Sequence, residues 1–223
     1  MSNVIFHSHN ITSIIMTMKN IKKTQRSPLA MAILALLAEE PMHPYRMQQL
    51  IKERGKDQII NVRQRASIYQ TIERLLRDGQ ISVKETLRET GKPDRTVYEI
   101  TKEGREILIE WIREVLSTPI QEFPNFPVAI SYISILSPQD ALEKLEQRID
   151  VLEKTVQQID NNLQTYKSLI PRLFMLESEY QKTVLAAELE WVRSASEDIR
   201  NGSLFWNDEW LRDIAERLTS QEE

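Results

Sequence analysis

The stretch RASIYQTIERLLRDGQI, Arg65 to Ile81, decides the fold. Its apolar residues Ile68, Ile72, Leu75 and Leu76 recur at helical spacing and give a buried stripe. Extended back in the same phase, Arg63, Ser67, Gln70, Arg74 and Arg77 follow one another at steps of 4, 3, 4 and 3 and share the opposite face. These side chains are cationic or hydrogen-bonding, and Glu73 is the acid among them. Such a helix is amphipathic in the ordinary way on one side and built for an anionic, polar partner on the other.

The flanking sequence supplies its neighbours. SPLAMAILALLAEE opens with Ser27 as an N-cap and Pro28 at the first helical position, where a missing N–H costs nothing. Leu29, Ile33, Leu36 and Leu37 form its buried face, and Pro41 stops it. HPYRMQQLIKERG starts a second helix at Pro44 and ends it at Gly55, with Tyr45, Met47, Leu50 and Ile51 expected inward. The quoted helix is third and ends at Gly79.

The period then changes from helix to strand. In ISVKETLR, Ile81 to Arg88, the apolar residues Ile81, Val83 and Leu87 lie on one side. ETGKPDR supplies turn residues, and TVYEIT, Thr96 to Thr101, is a second strand. Thr101 caps a fourth helix whose apolar residues are Ile107, Leu108, Trp111, Ile112 and Leu116. Three helices, a hairpin and a closing helix make a winged helix-turn-helix over residues 27–116, whose third helix enters the DNA major groove. On that reading the arginines take guanine edges or phosphates, Gln70 reaches adenine, and Lys92 and Arg95 at the wing tip touch the neighbouring backbone or minor groove.

Charge is distributed to match. The net charge of −4 arises from +3 in residues 1–25, +2 in 26–116 and −9 in 117–223. A mildly basic N-terminal half on an acidic C-terminal half is what a separate nucleic-acid module produces. The chain has no cysteine, which excludes disulfides, thiolate catalysis and zinc–thiolate sites and agrees with a reducing cytoplasm. No apolar run reaches the length of a membrane span; the nearest, Ile11 to Met18, is far too short, and no signal peptide is expected. Residues 1–26 show no sustained period and are expected to be a poorly ordered arm.

The motifs resemble the PadR family of transcriptional repressors, named for control of phenolic acid decarboxylase. The resemblance rests on LAMAILALLAEEP, HPYRMQQLI, ASIYQTIERLLRDGQI and GKPDRTVYEITKEG in combination. Ser67, Ile68 and Tyr69 stand where that family starts its recognition helix, and Tyr98, Ile100, Thr101 and Gly104 form its wing-end signature; Pro44 stands where Gly is usual. With Tyr45 and Tyr69 from these stretches, the candidate DNA contacts are Tyr45, Arg63, Ser67, Tyr69, Gln70, Arg74, Arg77, Lys92 and Arg95. The resemblance further implies a repressor whose C-terminal half is a helical dimerisation domain, and responsiveness to small aromatic compounds.

That C-terminal half carries its own signal. Leu142, Leu145, Ile149, Leu152, Val156, Ile159, Leu163, Tyr166 and Ile170 alternate steps of 3 and 4, an unbroken heptad seam. Ser137 and Pro138 start this helix, Pro171 ends it, and its length is roughly 45 Å at about 1.5 Å per residue. A second helix follows at similar spacing through Leu173, Leu176, Tyr180, Val184, Ala187, Trp191 and Ala195, and a third starts at Asn207. A lone helix-turn-helix reads half a site, so the seam is expected to make a homodimer, with residues 117–137 as connector and 138–223 as a helical, coiled-coil dimerisation domain. A monomeric bundle within one chain is the alternative. The fold class is therefore mainly α with a two-stranded wing.

Phe123, Phe126, Tyr132, Tyr180 and Trp191 either line a pocket for an aromatic effector or fill a core, and aromatics dominate core area in any fold. Lys154, Arg172 and Arg193 could pair an effector carboxylate or serve as surface ion pairs. His7 and His9 lack further ligands, so no metal is expected. No phosphate loop, carboxylate pair or Ser/His/Asp set is present, and no enzyme or cofactor is expected. The function expected is a dimeric DNA-binding repressor; the rival is a protein-interaction module with the winged helix as scaffold and the coiled coil as working surface.

Overall fold

The computed structural model describes residues 26–60, 65–87, 95–119 and 121–219; residues 1–25 of the arm, with His7 and His9, and the candidates Arg63 and Lys92 lie outside them. The chain divides into two compact units, 1–121 and 122–223.

In the first unit, helix α1 (Pro28–Glu39) is capped by Ser27, whose Oγ accepts the Ala30 N–H at 3.3 Å. Leu29, Ala30, Ile33, Leu34, Leu36 and Leu37 are all buried, so α1 is the central post of the head. Helix α2 (Pro44–Glu53) brings Met47, Leu50 and Ile51 into the same core, and Gly55 ends it at φ +65°, a conformation glycine adopts without strain. A bidentate pair, Arg54 Nη1 and Nη2 to Glu39 Oε1 and Oε2 at 2.6 and 2.7 Å, ties the ends of α1 and α2. Helix α3 (Arg65–Arg77) buries Ile68, Thr71, Ile72 and Leu75.

Strands β1 (Ile81–Leu87) and β2 (Arg95–Ile100) pair antiparallel from Ile81↔Ile100 to Leu87↔Arg95. Two sequence expectations are corrected here. Val83, expected inside, is 50% exposed although it shares a strand face with buried Ile81, and the register shifts just beyond it, between Val83 and Glu85. Tyr45, expected inward, is 53% exposed, since it stands at the first turn of α2, beside the His43 ring at 6.2 Å between centroids.

Helix α4 (Lys102–Ser117) closes the head and buries Leu108 and Trp111, whereas Ile112 and Leu116 are exposed. Its start is locked to the α3–β1 turn. The Thr101 N–H donates to Gln80 O at 3.1 Å, and its hydroxyl donates to Gly79 O at 2.8 Å while accepting the Gly104 N–H at 3.0 Å. A Cβ on Gly104 would lie 1.9 Å from Gln80 O, so only glycine allows this approach.

The second unit begins with helix α5 (Asn125–Ser131), so much of the expected connector is ordered helix. Helix α6 (Pro138–Tyr166) ends short of Pro171, with the Leu169 and Ile170 N–H groups both bonded to Tyr166 O. Helix α7 (Leu176–Arg200) returns alongside it, and helix α8 (Asp208–Thr219) follows. Ion pairs Glu146–Arg200, Glu153–Arg193 and Asp160–Lys182 join later residues of α6 to earlier ones of α7, as an antiparallel hairpin requires. The first two pairs are exposed and screened and the third is half-buried; the packing of Leu142, Leu145 and Leu152 on Leu189, Val192 and Ile199 carries the hairpin. The heptad seam thus meets α7 of its own chain: Ile159 is also buried, Ile149, Val156 and Leu163 are half-buried, and Tyr166 is exposed. Trp206 pins the far end, its indole N–H donating to Leu136 O at 2.8 Å.

Candidate nucleic-acid interface

The exposed side of α3 follows from its buried stripe. Gln70, Glu73 and Arg77 stand opposite Ile68, Thr71, Ile72 and Leu75 and are exposed. Ser67 and Arg74, seven residues apart, lie on the flank toward α1 and are half-buried. Ser67 O accepts the Thr71 hydroxyl at 2.7 Å, which lets a buried threonine sit in the helix. Tyr69, 51% exposed, lies on the other flank.

Each flank borders a cavity. The first, about 640 Å³, lies between the start of α1 (Ser27, Pro28) and α3 (Ser67, Gln70, Arg74, Arg77). Arg74 Nη2 reaches Ser27 Oγ at 3.4 Å, while its Nε is shielded from solvent with no hydrogen-bond partner among the described residues. Sequence spacing groups Arg74 with the freely exposed residues; Ser27 at the start of α1 seats it instead. The second cavity, about 340 Å³, is walled by His43 and Tyr45 at the start of α2, Tyr69 of α3, and Arg95 and Tyr98 of β2. Arg95 is exposed at the first position of β2. So α2, α3 and the wing converge around one tyrosine-rich concavity with an arginine at its rim.

His43, at the N-cap of α2, has a definite task. Its Nδ1 accepts the Arg46 N–H at 3.1 Å and caps α2. An accepting Nδ1 carries no proton, and burial, reinforced by the charges of Arg95 and Arg46, holds the imidazole below its ordinary range. Burial also pushes the Tyr98 hydroxyl up, with Tyr69 and Glu73 adding to the shift and the Thr96 hydrogen bond opposing it.

In the second unit, Phe126 and Trp191 meet edge to face at 6.1 Å, and the Arg148 guanidinium lies 3.5 Å over the Phe126 ring while pairing with Glu188. Phe123, Tyr132 and Tyr180 are exposed. Arg172 and Arg193 are engaged by Glu179 and Glu153.

The model of the transcriptional regulator PadR-like family matches residues 33–110, which run from α1 into α4. The head is a PadR-like domain. That family comprises transcriptional regulators and not enzymes. Among solved structures, PadR of Bacillus subtilis in complex with operator DNA is similar at a TM-score of 0.60 and 21% identity, over 77% of this chain and 98% of that one. The same protein in complex with p-coumaric acid gives 0.60 and 20% over the same shares. The virulence activator AphA of Vibrio cholerae gives 0.59 and 17%, over 78% of this chain and 98% of that one. The similarity therefore spans the PadR-like domain and helices beyond it, and concerns the fold. No curated protein matches the chain by sequence. Among the described residues no helix is long and apolar enough to cross a membrane.

Proposed function

We propose that the chain is a sequence-specific DNA-binding regulator that works as a homodimer, with repression released by a small aromatic effector. The observation that carries the reading is the exposed polar face of α3, flanked by the arginine- and tyrosine-lined cavities, within a PadR-like domain. Arg77 and Arg95 supply positive charge for phosphates, and Gln70 supplies the amide that pairs with an adenine edge.

Dimerisation follows from the need to read two half-sites and from apolar surface left outside the hairpin. The α6 seam from Leu142 to Tyr166 remains the candidate set, but most of it is covered by α7. The line Leu173, Leu176, Tyr180, Val184 and Trp191, with Tyr180 70% exposed, repeats at heptad-like steps and is the surface offered to a second copy. An effector site among Phe123, Phe126, Tyr132, Tyr180 and Trp191 draws its support from the Trp191–Phe126–Arg148 stack, which combines aromatic faces with a cation; the relative solved with p-coumaric acid shows the chemical class to try. Both partners, DNA and effector, belong to a cytoplasmic regulator.

The test is enrichment of a duplex from a randomised pool on the immobilised protein, with light scattering for the mass in solution. A palindromic enriched sequence and a dimer mass support the reading. An unenriched pool refutes it.

A further inference from the structure

We infer that on α3 the bases are read by Gln70 and Glu73, while Arg74 and Tyr69 on the flanks hold the two phosphodiester strands. The inference rests on the DNA-binding reading above and divides its contact set.

The division comes from where each side chain points. A helix laid in a major groove turns its outer ridge to the base edges and its two flanks to the backbones that border the groove. The ridge of α3 carries Gln70, Glu73 and Arg77, all exposed, with Arg77 at the last residue of the helix, where its charge serves the backbone. Arg74 is half-buried on the α1 flank, its guanidinium within reach of Ser27 Oγ and facing a cavity shared with Arg77. To touch a base edge it would have to leave that seat. Tyr69 faces the other cavity with Tyr45, Tyr98 and Arg95, where hydroxyl groups and a cation suit a phosphate oxygen.

Glu73 is the informative residue. A carboxylate at the centre of a DNA-facing ridge repels phosphate everywhere and loses affinity for every sequence except one that presents an amino donor. In the major groove that donor is the cytosine N4 amino group, which glutamate accepts, and the adenine N6 amino group pairs with the neighbouring glutamine. A repulsive group that one base relieves gives specificity by penalising the others.

The experiment compares pools enriched from one randomised duplex library on the full-length protein and on its Glu73→Ala, Arg74→Met and Tyr69→Phe variants, with thermal melts to confirm equal folding. Methionine keeps the packed stem of Arg74 and removes its charge. Glu73→Ala is expected to lose a cytosine preference at one position per half-site and to bind unselected duplex more tightly than the parent. Arg74→Met and Tyr69→Phe are expected to keep the parental consensus and weaken selected and unselected duplexes alike, Arg74→Met with a salt slope shallower by about 1. A Glu73→Ala pool identical to the parent's, or an Arg74→Met pool with a changed consensus, overturns the division while leaving DNA binding intact. A parental pool that enriches nothing overturns the DNA-binding reading itself.

Discussion

Replacing Gly104 by alanine sets two physical effects against each other, and the structure decides the sign. Gly104 lies in the first turn of α4, where helix propensity alone favours alanine by about 1 kcal/mol. Against this, the added Cβ would stand 1.9 Å from Gln80 O, 2.8 Å from its carbonyl carbon and 3.1 Å from its Cα, all backbone atoms. Relief requires α4 and the α3–β1 turn to part by roughly 1 Å or more, given ordinary contact distances. Overpacking of this kind costs about 1–3 kcal/mol. The same displacement stretches the Thr101 bonds to Gln80 O and Gly79 O, worth together about 1–2 kcal/mol. Offset by propensity, the net loss is about 1–4 kcal/mol. Native-state amide exchange at Leu34 and Ile72, in the core of the head, reads that unit's stability directly. Protection there should fall by roughly 5- to 800-fold. Unchanged or increased protection would refute the close approach of α4 to Gln80.

Further outcomes follow from other contacts. Leu34→Ala, at a fully buried site in α1, should destabilise the head by about 2–5 kcal/mol in the same exchange assay. Trp206→Phe removes the indole donor to Leu136 O and should lower the stability of the helical unit by about 1–3 kcal/mol, seen as reduced protection in α6 and α7. Head stability should also depend on pH through His43. Its folded pKa lies below the ordinary 6.5, so the folded state binds fewer protons; the contribution is full above the unfolded pKa and declines as pH falls through the folded one. His43→Asn keeps a good N-cap without a titrating ring and should flatten that part of the profile in chemical denaturation at a series of pH values. A profile identical to the parent's would remove His43 from the account.

The head was legible because its boundaries are written in residues with one strong backbone preference. Ser27–Pro28, Pro44, Gly55, Gly79 and Thr101 each mark an end that the structure places within a residue or two. Periodicity failed where the reach of the core or a distant neighbour decided burial. Val83 is exposed although alternation puts it on the same face as buried Ile81, because the core covers only one end of that strand face, and Tyr45 escaped the core by standing at a helix start. Arg74 shows the same limit at the candidate site. Spacing places it on a polar face, but its seat depends on Ser27, 47 residues away in sequence. The heptad seam of α6 identifies a face that must be covered and cannot name the cover; most of it lies against α7 of the same chain. His43 was hidden for a different reason, since one histidine before a proline gives no periodic signal and only the 3.1 Å bond to the Arg46 N–H shows what it does.

The most direct test of the account is fluorescence anisotropy of the full-length protein on the enriched duplex and on a scrambled duplex of equal composition, at about 50 and 200 mM salt. Specific binding at least about a thousandfold tighter than scrambled, with both affinities falling as salt rises, is the result predicted for a DNA reader. Equal, weak binding to both duplexes at both salt concentrations would contradict it.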